Sequence, residues 1–179
     1  MKKFVLLFSF LIFLSLGSGN VFAQNTPLMQ RPISVNYDLP YPGILPDNPL
    51  YFLKAIRDNL IGFFITEPVK KANYDLLMAD KRLASAKALV DKGKGDLAIT
   101  TLSKSGNYFD QALQQIAMAK RQGENADLVI ARLINASIKH QEVISQMVQK
   151  TKGDIKYNLE LLKIRTRGFQ DTAELLKSN

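Results

Sequence analysis

Few side chains in this chain could do chemistry, and the first to consider is its single histidine, His140. A Ser-His-Asp arrangement needs a nucleophile on a sharp turn, and nothing near His140 resembles one. Di-iron bundles use Glu-x-x-His on two helices, whereas His140-Gln141-Glu142 has neither that spacing nor that order. A lone histidine at the edge of a helical core is usually a packed or solvated residue rather than a haem ligand. We therefore predict no catalytic, cofactor-binding or metal-binding residue and no enzyme.

Two other motifs point to structure rather than to chemistry. The turn Gly93-Lys94-Gly95-Asp96 lacks the spacing of a phosphate-binding loop. Arg82 lies in the run Asp80-Lys81-Arg82 and either pairs with a carboxylate or is solvated. Its candidate partners are Asp58, Asp75 and Asp80. We expect the ion pair, which would fix how the first helix docks.

The absence of cysteine removes a whole class of chemistry. With no cysteine in the chain, disulfides, a lipid-modified cysteine, thiolate metal sites and covalent haem attachment are all excluded. Stability must therefore come from packing alone.

Basic residues outnumber acidic ones and give the chain a net charge of +8. The excess is distributed along the chain rather than clustered, but residues 150–167 are locally basic and contain only two acidic residues, Asp154 and Glu160. The candidate patch for an anionic surface consists of Lys150, Lys152, Lys156, Lys163, Arg165 and Arg167. Anionic polymers or lipid headgroups of the envelope would suit it, although a solvated helix face is the simpler explanation. No nucleic-acid-reading motif accompanies the charge, so nucleic acid is not an expected partner.

Five helical segments must position these side chains. Apolar residues at spacings of three and four predict helices over residues 49–65, 67–92, 96–122, 125–151 and 154–177. The second helix has a heptad seam with small residues at alternate positions, which permits close approach of a neighbour. That seam consists of Ala72, Leu76, Ala79, Leu83, Ala86 and Val90.

Glycines at 93, 123 and 153 end three of the predicted helices, and the short loops favour antiparallel neighbours. The fold class is therefore all-α: an elongated up-down antiparallel bundle of four long helices plus a shorter N-terminal apolar helix. Long heptad seams also leave self-association open.

The first helix is apolar around much of its circumference. Leu50, Leu53, Ile56, Leu60 and Phe64 form one stripe, and further apolar residues broaden it. Either the bundle covers this helix, or it offers aromatic side chains to a partner or a membrane interface. The candidate partner-binding residues are Tyr51, Phe52 and Phe63. Of the two alternatives we expect burial.

Residues 1–23 have the three parts of a signal peptide. Lys2 and Lys3 are followed by an apolar run and by small residues at the −3 and −1 positions of a cleavage site between Ala23 and Gln24. We expect an exported protein, extracytoplasmic or secreted. The alternative is an uncleaved segment that tethers the chain to the membrane.

Residues 24–48 contain five of the seven prolines and no hydrophobic period. This composition predicts an extended tether, either a spacer that holds the domain off a surface or a loose end. Pro42 and Pro46 break the chain before a helix that Asp47 or Asn48 could cap, with Pro49 in its first turn. The helical domain is then expected over residues 49–179.

Three runs of sequence resemble a known family: PGILPDNPLYFLK at 42–54, EPVKKA at 67–72 and ADKRLASA at 79–86. They are similar to a domain-of-unknown-function family of exported bacterial proteins. The resemblance implies no activity, cofactor or catalytic residue, because the family has none agreed. Ser85 stands where an acidic residue is expected, which argues against a shared carboxylate site.

Two functional hypotheses follow from these features. The first is an exported, non-enzymatic structural or interaction module at the cell envelope. The second is an extracytoplasmic binding protein or small chaperone for amphipathic or anionic ligands, such as envelope polymers or lipid headgroups. The partners would be an envelope protein, an anionic polymer or a membrane surface, and no cofactor is expected.

Overall fold

A computed structural model describes residues 35–178, so the predicted signal peptide, its cleavage site and the start of the tether lie outside the described residues. The helices are α1 (Tyr51–Phe64), α2 (Pro68–Asp91), α3 (Gly95–Arg121), α4 (Asp127–Gln149) and α5 (Gly153–Ser178). This part of the chain contains no strand, which confirms the all-α fold class. None of the helices within 35–178 combines the length and the hydropathy needed to cross a bilayer.

At the three glycine-containing loops, the observed helix ends lie within about two residues of the predicted ones. Gly93, Gly123 and Gly153 have φ of +72°, +77° and +56°. These left-handed values are strained for residues with a side chain, so glycine lets the chain turn out of a helix at low cost.

The start of α1 differs from the prediction. The helix begins at Tyr51 rather than at Pro49, and no side chain caps it. The Asn48 side-chain oxygen accepts a hydrogen bond from the Leu50 backbone N–H at 2.9 Å, so it stabilises the turn just before the helix. Asp47 is engaged elsewhere, because it pairs with Lys92 at 3.1 Å and Lys94 at 2.9 Å.

Packing between helices is uneven. The most extensive contacts join α2 to α3 and α4 to α5, and smaller ones join α3 to α5 and α2 to α4. Helix α1 has few backbone neighbours, and within residues 35–178 those on other helices belong to α2. The core is therefore built by the four long helices, and α1 lies against it.

The core consists of two apolar clusters. One includes Leu76, Phe109, Ile130 and Phe169, in which the rings of Phe109 and Phe169 stack with centroids 5.0 Å apart. The other includes Leu83 from α2 and residues from α3, α4 and α5. Small residues at alternate positions of the α2 seam, such as Ala79 and Ala86, are fully buried, as close helix approach requires.

A polar layer separates the two clusters, and each long helix contributes to it. Asp80, Ser105, His140 and Thr166 are all buried and lie between the two sets of apolar residues on their helices. The Nε2 atom of His140 lies 2.8 Å from Oδ1 of Asp80. Of the two predicted alternatives, packed or solvated, His140 is therefore packed in the core.

Candidate functional site

Helix α1 turns its polar face inward and its apolar face outward. Its buried residues are Asp58 and Gly62. The side chains of Phe52 and Phe63 are 57% and 79% exposed, so the expectation that the bundle buries them is wrong. The other large apolar side chains exposed on or beside this helix are Leu50, Leu53, Ile56, Leu60, Ile61 and Phe64.

Polar contacts hold α1 on the long helices. The Tyr74 hydroxyl donates to the Asp58 backbone carbonyl at 2.5 Å, and the Tyr108 hydroxyl donates to the Asn59 side-chain oxygen at 3.2 Å. The Asp58 carboxylate accepts from Arg57 at 2.6 Å. Gly62 lies so close to Tyr74 that a Cβ atom there would come within 2.9 Å of the ring. Since these contacts are made by the polar side of α1, its apolar side is left facing away from α2.

Arg82 contributes to this docking through a different partner from the one predicted. Its Nη1 atom donates to the Tyr51 hydroxyl, and its guanidinium carbon lies 5.7 Å from the Tyr51 ring centroid and 5.3 Å from that of Tyr108. The three predicted carboxylates are engaged elsewhere: Asp58 with Arg57, Asp75 with Lys71, and Asp80 with His140. The predicted ion pair is therefore wrong, although Arg82 does contact the first helix.

A groove of about 460 Å³ runs beside α1. Its lining includes Tyr41, Ile44 and Leu53 together with the cationic Lys54 and Lys81. Lys54 donates to the backbone carbonyls of Pro42 at 2.5 Å and Ile44 at 3.2 Å. Burial lowers the pKa of the Lys54 ammonium. The groove is thus apolar with a positively charged rim.

The described part of the predicted tether lies on the helices. Residues 35–48 form no helix. The Tyr37 hydroxyl nevertheless donates to Oδ2 of Asp80 at 2.6 Å, and Leu39 packs against the second apolar cluster. Burial, reinforced by the charge of Asp80, raises the pKa of the Tyr37 hydroxyl. Residues 35–48 therefore act as an attached segment rather than as a free spacer.

The six residues of the predicted basic patch do not share one environment. Lys150 pairs with Asp91 at 2.5 Å, and Arg165 pairs with Asp110 and also donates to Asn107 at 3.0 Å. The hydrogen bond from Lys150, followed by that from Lys87, lowers the pKa of the Asp91 carboxyl. Lys152, Lys156 and Arg167 are exposed, and Lys163 is half-buried. Part of the positive charge is therefore neutralised within the domain.

Within residues 35–178, no group of three or more histidine, cysteine, aspartate or glutamate side chains is placed to hold a metal ion. The buried pair of Asp80 and His140 instead links α2 to α4.

Sequence reasoning missed the inward face of α1, although a signal for it was present. Tyr51, Ala55, Asp58 and Gly62 follow one another at spacings of four, three and four. That spacing places them on one side of a helix, and their small size or polar atoms suit contact with other polar groups. The apolar stripe on the opposite side is the stronger sequence pattern, and it predicts, wrongly, that this side contacts the bundle.

Comparison with protein families identifies the family of this chain. A family model described as a domain of unknown function, DUF5667, matches residues 43–154. The match runs from the segment before α1 to the first residues of α5, and it confirms the resemblance seen in the sequence motifs. Comparisons with curated proteins and with solved structures give no match.

Proposed function

This chain belongs to the family of the domain of unknown function DUF5667, and we propose that it is an exported, non-enzymatic interaction module of the cell envelope. In this proposal, residues 1–23 are removed as a signal peptide, and residues 49–179 form the working domain. That domain is an up-down antiparallel bundle of four long helices with the shorter apolar α1 on its side. The short glycine-containing loops support the antiparallel order.

One observation carries the proposal: the apolar face of α1 is exposed while its polar face is docked. Contiguous exposed apolar surface on a soluble protein commonly marks an interaction site. Covering one large apolar side chain contributes about 1.5–3 kcal/mol. A surface that receives several such side chains from α1 can therefore bind the domain firmly.

The partner that fits best is an anionic lipid surface. On α1, Lys54 and Arg57 are the cationic groups, and the one carboxylate, Asp58, is buried and paired with Arg57. An interfacial helix combines apolar and aromatic residues with lysine or arginine, and each basic group near an anionic membrane contributes about 1 kcal/mol. The outward side of α1 has this composition and carries no exposed negative charge.

The groove beside α1 favours a second candidate function. Its apolar lining and cationic rim at Lys54 and Lys81 would suit an amphipathic ligand with a negative charge. In this case the protein would be an extracytoplasmic binding protein or a small chaperone that shields apolar segments.

Vesicle co-sedimentation tests the membrane proposal directly. Protein purified from an exporting host is mixed with phosphatidylglycerol vesicles or with phosphatidylcholine vesicles, at low and high salt. We expect binding to the anionic vesicles that weakens with salt. The double variant Phe52→Ser/Phe63→Ser should lose at least about tenfold in affinity, since two exposed aromatic side chains no longer enter the interface.

Leu128 and Leu175 provide a matched control, because both are exposed apolar side chains on other helices. The variant Leu128→Ser/Leu175→Ser should bind vesicles as the wild type does. Equal losses in the two double variants, or no binding to anionic vesicles at low salt, would refute the membrane proposal. Protection of an aggregating client without vesicle binding would favour the chaperone. A dimer that dissociates in the Phe52→Ser/Phe63→Ser variant would identify a second copy as the partner.

A further inference from the structure

A second, polar cleft lies where α1 meets α2 and α3. Its volume is about 300 Å³. Its charged lining residues are both cationic, Arg82 and Lys104, and within residues 35–178 no carboxylate lines it. The remaining lining residues are Tyr51, Ala55, Asn59, Asn107, Tyr108 and Gln111. The cleft therefore presents positive charge and hydrogen-bonding groups.

Arg82 is buried there with incomplete hydrogen bonding. The residue is 6% exposed, and its Nε atom is fully buried without a hydrogen-bond partner. Among the described residues the guanidinium forms no salt bridge with a carboxylate. An arginine remains charged at all physiological pH values, and a buried charge without a counter-ion is costly. A bound anion would offset this cost.

The position of Arg82 is held by the aromatic groups around it. Nη1 donates to the Tyr51 hydroxyl, and the rings of Tyr51 and Tyr108 both lie within 6 Å of the guanidinium carbon. A guanidinium held in this way has lost its rotamer freedom before a ligand arrives. Preorganisation of this kind lowers the entropic cost of binding.

The neutral side chains of the cleft also suit a negatively charged ligand. The Asn59 side-chain oxygen accepts from the Tyr108 hydroxyl, and the Asn107 side-chain oxygen accepts from Arg165. In both residues the oxygen is engaged, which leaves the amide nitrogen as a donor. Lys104 is exposed and forms no salt bridge with a described residue. The unused polar groups are thus mainly donors.

We propose that this cleft binds a phosphate group, with Arg82 and Lys104 as its cationic ligands. Phosphate offers several acceptor oxygens, which suits donors that arrive from α1, α2 and α3 better than the two oxygens of a carboxylate do. A soluble phosphate ester and a lipid headgroup share this chemistry, and the probes below distinguish them. This site goes beyond the membrane surface proposed above, because it uses the docked side of α1 rather than its exposed apolar side.

NMR of the arginine Nε–H groups tests the site in protein purified from an exporting host. Inorganic phosphate is titrated against chloride at equal ionic strength, and Arg82→Lys identifies the Arg82 signal. We expect a saturable shift of that signal. Lys104→Gln should weaken binding about tenfold, as expected for loss of a charged hydrogen bond. The matched control Lys177→Gln removes an exposed lysine on α5, outside both the cleft and the basic patch, and should leave binding unchanged.

Two further probes distinguish the source of the phosphate. Glycerol 3-phosphate tests a soluble ester, and phosphatidylglycerol nanodiscs test a lipid headgroup. The site is supported if any of the three probes gives a saturable Arg82 shift that Lys104→Gln weakens and Lys177→Gln leaves unchanged. No shift with all three probes, or equal effects of the two lysine variants, overturns it. The Phe52→Ser/Phe63→Ser variant should still bind inorganic phosphate or glycerol 3-phosphate, so this proposal and the membrane proposal can fail separately.

Discussion

At the scale of single residues, burial changes the ionisation of carboxyl groups in this protein, and Asp75 is the clearest example. The residue is fully buried, Lys71 donates to its Oδ1 atom at 2.8 Å, and its Oδ2 atom has no hydrogen-bond partner. Burial raises the pKa of the Asp75 carboxyl, and the hydrogen bond and charge of Lys71 offset only part of that effect. The ionised carboxylate is therefore less favourable in the folded chain than in the unfolded chain.

The raised pKa predicts a pH-dependent effect of Asp75→Asn. Below about pH 3.9, the pKa of an unfolded aspartate, both states are protonated and no penalty exists. As the pH rises through the unfolded and then the folded pKa, ionisation favours the unfolded state. The wild type should therefore lose stability relative to Asp75→Asn as the pH rises from below about 3.9 to the pH at which the folded carboxyl is fully ionised. Urea unfolding of both proteins across this range measures the difference.

Asp91 supplies a control of opposite sign. Lys150 and Lys87 lower the pKa of its carboxyl, so ionisation of Asp91 favours the folded state. Asp91→Asn should lose stability relative to the wild type as the pH rises, by a small amount because the residue is exposed. The two pKa directions would be contradicted if the free energies of unfolding of Asp75→Asn and Asp91→Asn, relative to the wild type, did not change with pH. A change in the same direction for both variants would contradict them as well.

At this scale the sequence predicted some environments and not others. His140 was predicted to be either packed or solvated, and it is packed, because it lies beside apolar heptad positions. The partner of Arg82 was not predictable, since the choice between a carboxylate and the Tyr51 hydroxyl depends on how α1 is rotated about its axis. Such long-range side-chain pairs depend on packing between elements rather than on spacing within one.

The docking of α1 depends on a close approach at one glycine. A Cβ atom at Gly62 would lie 2.9 Å from the Tyr74 ring and 3.3 Å from the Lys71 Nζ atom. At Gly168, within α5, a Cβ atom would meet nothing within 4 Å. The two glycines share helical backbone but differ in their surroundings.

This contrast predicts opposite outcomes for two alanine substitutions. Gly168→Ala should stabilise the protein by about 0.5–1 kcal/mol, because alanine loses less conformational entropy in a helix. Gly62→Ala should give no such gain and should increase hydrogen exchange in α1, because the methyl group pushes α1 away from Tyr74. Thermal unfolding and amide exchange measure the two effects. Equal stabilisation by both variants would show that α1 is not held by this contact.

The helices themselves were largely predictable, whereas the orientation of α1 was not. Apolar periodicity and the glycines at 93, 123 and 153 give the long helices within about two residues, because each has one strong apolar face. Helix α1 has two plausible faces, the apolar stripe and the stripe of Tyr51, Ala55, Asp58 and Gly62. Periodicity shows that both exist, but only the polar groups of the long helices decide which one is buried.

In the described domain as a whole, the polar layer divides the core into two parts. Ser105 donates to the Ala79 carbonyl at 2.7 Å, and His140 contacts Asp80, so the layer links α2 to both α3 and α4. Apolar side chains tolerate small sliding of one helix along another, whereas these hydrogen bonds are made at one register only. We infer that the layer specifies the helix register, at some cost in stability.

A double-mutant cycle on Asp80 and His140 tests this role. His140→Leu should cost about 2–3 kcal/mol, because it leaves the Oδ1 atom of Asp80 buried without its partner. Asp80→Leu should cost a similar amount. The double variant should be more stable than the sum of the two losses predicts, since neither residue of the apolar pair lacks a partner. The Tyr37 hydroxyl, which donates to Asp80, loses its acceptor in Asp80→Leu and in the double variant alike, so this loss cancels in the coupling energy. Urea unfolding followed by circular dichroism gives the four free energies of unfolding.

The variants of this cycle also distinguish a role of the polar layer in helix register from a role in stability alone. If the layer specifies register, the double variant should retain its helicity but show broadened side-chain NMR signals, because several helix alignments become similar in energy. Thr166→Val is the matched control, since Thr166 bonds the Leu162 carbonyl of its own helix at 2.9 Å and links no pair of helices. Sharp signals in both variants, or strictly additive losses in the cycle, would assign the buried pair to stability alone, because a side-chain pair that selects one alignment must affect both observables.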